Sequence, residues 1–136
     1  MGRRPKKHLG EMQELTPLEL SLMKIIWERG SATAAEISEF MAPSNPLADT
    51  TIHTILANLR KKRYIEPVPT IERAYRFAPR VPREKIAGCS LRRILADFFE
   101  GSPRRMMAHL LQEDIDETEL AEIRQMLDDS GKKKEE

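Results

Sequence analysis

The sequence predicts a mostly α-helical chain interrupted by one β-hairpin. Three observations predict it. Helix-start signals precede apolar stripes in the first half, an apolar/polar alternation runs over Ala74–Ala78, and further helical stripes follow Pro79. The 136 residues amount to about one domain on a prior of roughly 150.

Residues 1–14 read as a basic, loose arm. Thr16-Pro17-Leu18-Glu19 then carries an N-cap Thr, a Pro at the first helical position and the Glu of a capping box. The helix is expected to run to Arg29 and stop at Gly30. Leu22, Ile25 and Ile26 fall on one side, and Leu20, Met23 and Trp27 on another. A helix apolar on two sides is buried by neighbours on two sides. Thr33-Ala34-Ala35-Glu36 opens a second, short helix over about 34–42, with Ile37, Phe40 and Met41 as its apolar stripe. Pro43-Ser44-Asn45-Pro46 ends it in a turn.

Asp49 is the expected cap of a third helix over about 50–62. Ile52, Ile55, Leu56 and Leu59 lie within an arc of about 100°. Thr50, Thr54, Ala57 and Lys61 face the other way, flanked by His53 on one edge and by Thr51 and Asn58 on the other. A solvated helix face usually carries Glu and Lys, whereas three threonines at 50, 51 and 54 lower helix propensity. Short hydrogen-bonding groups with a Thr methyl suit base edges in a major groove, and cations at the far end suit phosphates. A plain solvated face, with cations placed to suit the helix dipole, is the competing reading.

Tyr64–Val68 and Ala74–Ala78 read as the two strands of a hairpin with its tip at 69–73, and Pro67 and Pro69 confine the first strand to an edge or a bulge. Three helices followed by a hairpin is the order of a winged helix-turn-helix, here over 15–80, and its wing would bring Arg73 and Arg76 to the DNA backbone or minor groove.

After Pro79 the composition shifts. A helix over about 83–99 carries Ala87, Leu91, Ile94, Leu95 and Phe98, and Gly101 breaks it. Ser102-Pro103 restarts a helix over about 103–112 with Met106, Met107, Leu110 and Leu111. Asp116-Glu117-Thr118-Glu119 caps a last helix with Leu120, Ile123 and Leu127, expected to stop at Gly131 and leave a charged tail over 130–136. The region 81–129 holds too little core to stand alone. The pairs Phe98-Phe99 and Met106-Met107 put apolar groups on more than one side of their helices. Dimerisation through Leu91, Ile94, Leu95, Phe98, Met106, Leu110, Leu120, Ile123 and Leu127 is the expectation, with folding back onto the first domain as the alternative.

Charge divides along the same line. Residues 50–80 carry seven cations against Glu66 and Glu72, whereas 81–129 carry seven against eleven acids, under a net charge of only +1. A basic part can meet a polyanion while an acidic part faces something else.

Enzyme chemistry has little support. No GxGxxG, P-loop or HExxH occurs, and His8, His53 and His109 lie far apart, so no catalytic residue, metal site or cofactor is expected. Cys89 excludes an internal disulfide by being alone. Arg92 and Arg93 follow it, but no base is arrayed beside it, and a structural, buried thiol is the reading preferred over a redox centre. No apolar run of roughly 18 residues exists, so no membrane insertion and a cytoplasmic setting are expected.

Leu15-Thr16-Pro17-Leu18-Glu19 through Ile25-Ile26-Trp27, the Ala35-Glu36-Ile37 helix, Thr51-Ile52-His53-Thr54-Ile55-Leu56-Ala57-Asn58-Leu59-Arg60-Lys61-Lys62 and Tyr75-Arg76-Phe77 resemble the penicillinase-repressor (BlaI/MecI-type) family. The likeness covers about 15–128, and the T-I-x-T-x-L-x-x-L-x-K-K run is its most specific part. It implies a homodimeric transcriptional repressor whose winged helices bind the halves of a palindromic DNA operator, often at β-lactam resistance genes. It further implies release through a membrane-bound sensor protease that leads to cleavage in the dimerisation domain. The chain departs from the pattern at Thr50, His53 and Asn58, where relatives carry Lys or Arg, and at His109-Leu110, which replaces the family's scissile Asn-Phe. DNA-binding residues are therefore expected at Thr50, Thr51, His53, Thr54, Asn58, Lys61, Lys62, Arg73 and Arg76. A protein-interaction adaptor on the same fold is the alternative function.

Overall fold

The computed structural model describes residues 13–135; the expected basic arm falls almost entirely outside them. The elements are α1 (Pro17–Arg29), β1 (Ala32–Thr33), α2 (Ala34–Met41), α3 (Asp49–Lys61), β2 (Ile65–Val68), β3 (Arg76–Pro79), α4 (Arg83–Phe99), α5 (Pro103–Leu110) and α6 (Glu117–Glu135). The chain divides into two compact units, one up to Leu91 and one from Arg92, so the division falls inside α4.

The first unit is a winged helix-turn-helix. Thr16 and Glu19 close the capping box of α1, and Thr33 and Glu36 close that of α2, each with both reciprocal hydrogen bonds. Gly30 ends α1 at φ 85°, a left-handed conformation that Gly adopts without a Cβ clash, and its N–H donates to the Ile26 carbonyl. Leu22, Met23 and Ile26 of α1 pack with Ile37 of α2, and with Ile52, Leu56 and Leu59 of α3. Tyr64, Ile65 and Phe77 close this core from the hairpin side. Removing a buried side chain of this size typically costs about 2–5 kcal/mol.

The hairpin forms an antiparallel pair with Pro67 opposite Phe77 and Ile65 opposite Pro79. β2 is an outer strand, as Pro67 requires. A third strand was not expected. The two residues of β1 pair with β3, Ala32 opposite Phe77 and Thr33 opposite Arg76. They are too few for any alternation to show in sequence. The Trp27 indole N–H donates to the Val81 carbonyl at 2.9 Å, the Arg83 guanidinium lies 5.4 Å from the Trp27 ring, and Ile86 packs against the core. The start of α4 thus belongs to the first unit.

Three local expectations need correction. Asp49 is the first residue of α3, not its cap; Ala48 holds that position and offers no side-chain hydrogen bond. Phe40 is 50% exposed, with the Arg29 guanidinium 4.8 Å above its ring, because α2 is short and turns that side outward. Gly131 does not stop α6, which continues to Glu135 and absorbs most of the expected tail. A glycine lowers helix stability by roughly 1 kcal/mol without breaking the backbone hydrogen bonding, and the lysines after it suit a helix C-terminus.

In the second unit, Glu100 and Gly101 both adopt left-handed backbone conformations, and the Gly101 N–H reaches back to the Leu95 carbonyl. The Ser102 side chain caps α5 by accepting from the Arg105 N–H, and Asp116 caps α6 by accepting from the Glu119 N–H. Not one described residue of this unit is fully buried.

Candidate nucleic-acid interface

The third helix divides its residues cleanly. Ile52, Ile55, Leu56 and Leu59 are buried, while Thr50, His53, Thr54, Ala57, Asn58 and Lys61 are exposed and Thr51 is half-buried on the rim. Small polar groups occupy the N-terminal part of the outer face, and Arg60 and Lys61 occupy its last turn. Such a face approaches a base edge closely at one end and a phosphate at the other.

The wing stands beside it. Arg73 and Tyr75 are exposed on the segment that joins β2 to β3, and Ile71 at its tip is fully exposed. The Glu72 N–H donates to the Thr70 hydroxyl, a local turn that shapes the tip. Arg60, His53 and Ala57 of α3 line one wall of a cleft whose other wall is Arg73, Ala74 and Tyr75. Tyr75 was absent from the residues expected to act, and Arg60 was expected only as one of the cations, Arg60 to Arg63, at the end of the helix. Tyr75 precedes β3, and strand alternation would have placed it with the buried Phe77, so no local signal marked it as exposed.

Two expected cations have other partners. Arg76 makes two hydrogen bonds to Glu36 of α2, at 3.2 and 2.8 Å, and two more to Glu72 at 3.2 and 3.1 Å. The carboxylates raise the affinity of the Arg76 guanidinium for its proton, and Arg76 in turn lowers the pKa of Glu36 and Glu72. Lys62 is half-buried, with its ammonium 2.7 Å from Glu19 and 3.1 Å from the Glu14 carbonyl oxygen. Burial pushes the Glu19 carboxyl up, but the Lys62 ammonium and the Thr16 backbone N–H outweigh it, and the net shift is downward. Both cations therefore hold elements of the unit together. Thr50, Thr51, His53, Thr54, Asn58, Lys61 and Arg73 stand on the surface that the sequence assigned to them.

In the second unit, Leu91 at its border and Ile94, Phe98, Leu110 and Leu127 are exposed, while Leu95, Met106, Leu120 and Ile123 are half-buried. Leu111 and Met126, outside the expected set, add to the exposed apolar surface. His109 and Leu110 lie in the last turn of α5, with the His109 ring edge-on to Phe99 at 5.6 Å. Cys89 is buried in α4, and no cluster of candidate metal ligands exists among the described residues. No helix among the described residues is long and apolar enough to cross a membrane.

Residues 15–129 match the family model described as penicillinase repressor. The chain is 26% identical over 121 residues to the penicillinase repressor of Staphylococcus aureus, covering 88% of this chain and 95% of that one. It is also 26% identical over 106 residues to the transcriptional regulator BlaI of Mycobacterium tuberculosis, covering 76% of each. Among solved structures, the hsRosR-S4 complex shares the fold at a TM-score of 0.50 with 14% identity, covering 74% of this chain and 88% of that one. With a family match spanning both units, the chain belongs to the penicillinase repressor family, a family of transcriptional repressors and not of enzymes.

Proposed function

We propose that the chain is a homodimeric repressor that docks the outer face of α3 in the major groove of each half of a palindromic operator, with the wing on the flanking backbone. One observation carries this reading. The outer face of α3 exposes Thr50, Thr54 and Lys61, and its His53, Ala57 and Arg60 share a cleft with the exposed Arg73 of the wing. The inner face of the same helix is wholly committed to the core. Thr50, Thr51, His53, Thr54 and Asn58 are the base readers, and Lys61 and Arg73 hold phosphates. Arg76 and Lys62 position the wing and the helix without touching DNA.

The second unit supports the homodimer. Its exposed leucines and phenylalanine, and its lack of any fully buried described residue, leave an apolar surface that a second copy of the same chain would cover. Joining two weak DNA-binding heads converts the second contact into an intramolecular one, which typically raises avidity by roughly 10²–10⁴. Likeness to the Staphylococcus aureus repressor makes β-lactam resistance genes the proposed targets, in the cytoplasm where the DNA is. Release by a sensor protease acting at His109-Leu110 would require the last turn of α5 to fray, because proteases cut locally unfolded, accessible segments.

Sedimentation of the full chain, combined with duplex binding across a salt series, tests this. A dimer whose affinity falls steeply with salt is the expected result. A monomer indifferent to duplex even in dilute buffer would point to the adaptor instead.

A further inference from the structure

We propose that the cleft between α3 and the wing binds a small planar aromatic carboxylate, whose presence excludes DNA; the exclusion, though not the binding, rests on the function proposed above. The cleft encloses about 290 Å³. That is at the lower end of ligand pockets, which run roughly 300–1,000 Å³, and it suits one or two fused rings.

Its walls are mainly apolar, with Leu56, Ala57 and Phe77 on the core side and Ala74 and Tyr75 on the wing side. Tyr75 is 72% exposed, with its ring tilted 37° to that of Phe77 at 6.3 Å. The Tyr75 ring offers an aromatic surface that the fold itself does not cover, and the buried Phe77 ring backs it at the floor of the cleft.

Charge selects the ligand class. Arg60 and Arg73 line the cleft together with His53, and no carboxylate among the described residues lines it. The Arg60 guanidinium lies 6.0 Å from the centre of the Phe77 ring, so a flat anion against that wall meets the cation and the aromatic together. A phosphodiester supplies the charge but nothing for the apolar walls. An aromatic carboxylate supplies both. Its occupancy of the space between His53 and Arg73 keeps the wing and α3 from engaging one duplex at once.

The probe is 2-naphthoate, titrated into the ¹⁵N-labelled full chain, with 2-naphthamide and inorganic phosphate as controls. Saturable shifts at the amides of Ala57, Ala74 and Phe77 are expected, with a Kd near or below about 1 mM. Arg60→Gln and Arg73→Gln should each weaken binding by roughly tenfold or more. Ala74→Leu should block the cleft from the wing side and abolish the shifts.

Equal binding of 2-naphthamide, the same shifts with phosphate, or no shifts at several times the expected Kd would each overturn the site. DNA is measured separately, with a random-sequence duplex in dilute buffer. Naphthoate binding in a chain that ignores the duplex upholds the site and refutes the repressor reading. A duplex retained at saturating naphthoate refutes the exclusion.

Discussion

Glu36 of α2 and Arg76 of β3 face each other across a two-bond pair, Nη1 to Oε1 at 3.2 Å and Nη2 to Oε2 at 2.8 Å. The same Glu36 carboxylate accepts from the Thr33 backbone N–H to complete the start of α2. The same Arg76 holds Glu72 at the wing tip. This ion pair therefore ties the wing to the helix that precedes α3. Arg76→Met is expected to loosen the wing more than the core. Amide exchange should quicken across β2 and β3 while α1 and α3 keep their protection, and duplex affinity should fall. Unchanged exchange in the hairpin would show that the strand pairing alone fixes it.

Lys62→Met leaves the buried Glu19 carboxylate without its counter-ion. Breaking such a pair from one side typically costs about 3–5 kcal/mol. The Lys62 side chain is still 20% exposed, so water softens the loss to about 2 kcal/mol. Urea unfolding should show it, and adding Glu19→Gln should restore part of it.

Acid should weaken the first unit in a defined way. Glu19, Glu36 and Glu72 all have pKa values below the ordinary 4.5. The unfolded chain then takes up protons before the folded one does, so stability is steady at neutral pH and falls as pH drops through and below about 4.5. High salt should erase more of the wing contribution, whose Glu72 is 45% exposed, than that of Glu19, which is 5% exposed. Urea midpoints between pH 3 and 7, with and without salt, check both.

Thr54→Ala and Lys61→Ala separate reading from holding. The first should change which operator variants are preferred. The second should weaken all duplexes alike and reduce the salt slope by about 1. Neither should lower the unfolding midpoint, since both side chains are exposed, and Thr54→Ala should raise it slightly because Ala favours a helix interior over Thr.

Separating the first unit from the second calls for a cut after Leu91. A cut after Pro82 would remove Ile86 and the buried Cys89 together with the Arg83 contact to Trp27. The fragment ending at Leu91 should stay folded and monomeric, with duplex affinity reduced by roughly 10²–10⁴. Full-strength binding by that fragment would show that the second unit adds nothing.

Much of this was legible in the residue order. Thr16 with Glu19, and Thr33 with Glu36, announce helix starts because the capping chemistry is local. Gly30 announces the stop for the same reason. The burial of Ile52, Ile55, Leu56 and Leu59 followed from spacing alone. The pairing of Lys62 with Glu19 and of Arg76 with Glu36 did not, since these partners lie 43 and 40 residues away and an ion pair at that distance leaves no local periodicity. Phe40 misled because an apolar side chain in a stripe is assumed to point inward, whereas Arg29 gives it a cover of its own. The cleft beside Tyr75 was invisible for a similar reason, because it exists only where the wing comes alongside α3.

The clean division of α3 has an evolutionary corollary. On the proposed reading, the residues that would choose a promoter add nothing to the core, and those that build the core would never meet a base. A duplicated gene can drift toward new targets codon by codon along the outer positions without passing through an unfoldable ancestor. Diversification of such regulators then meets little resistance from the demands of folding.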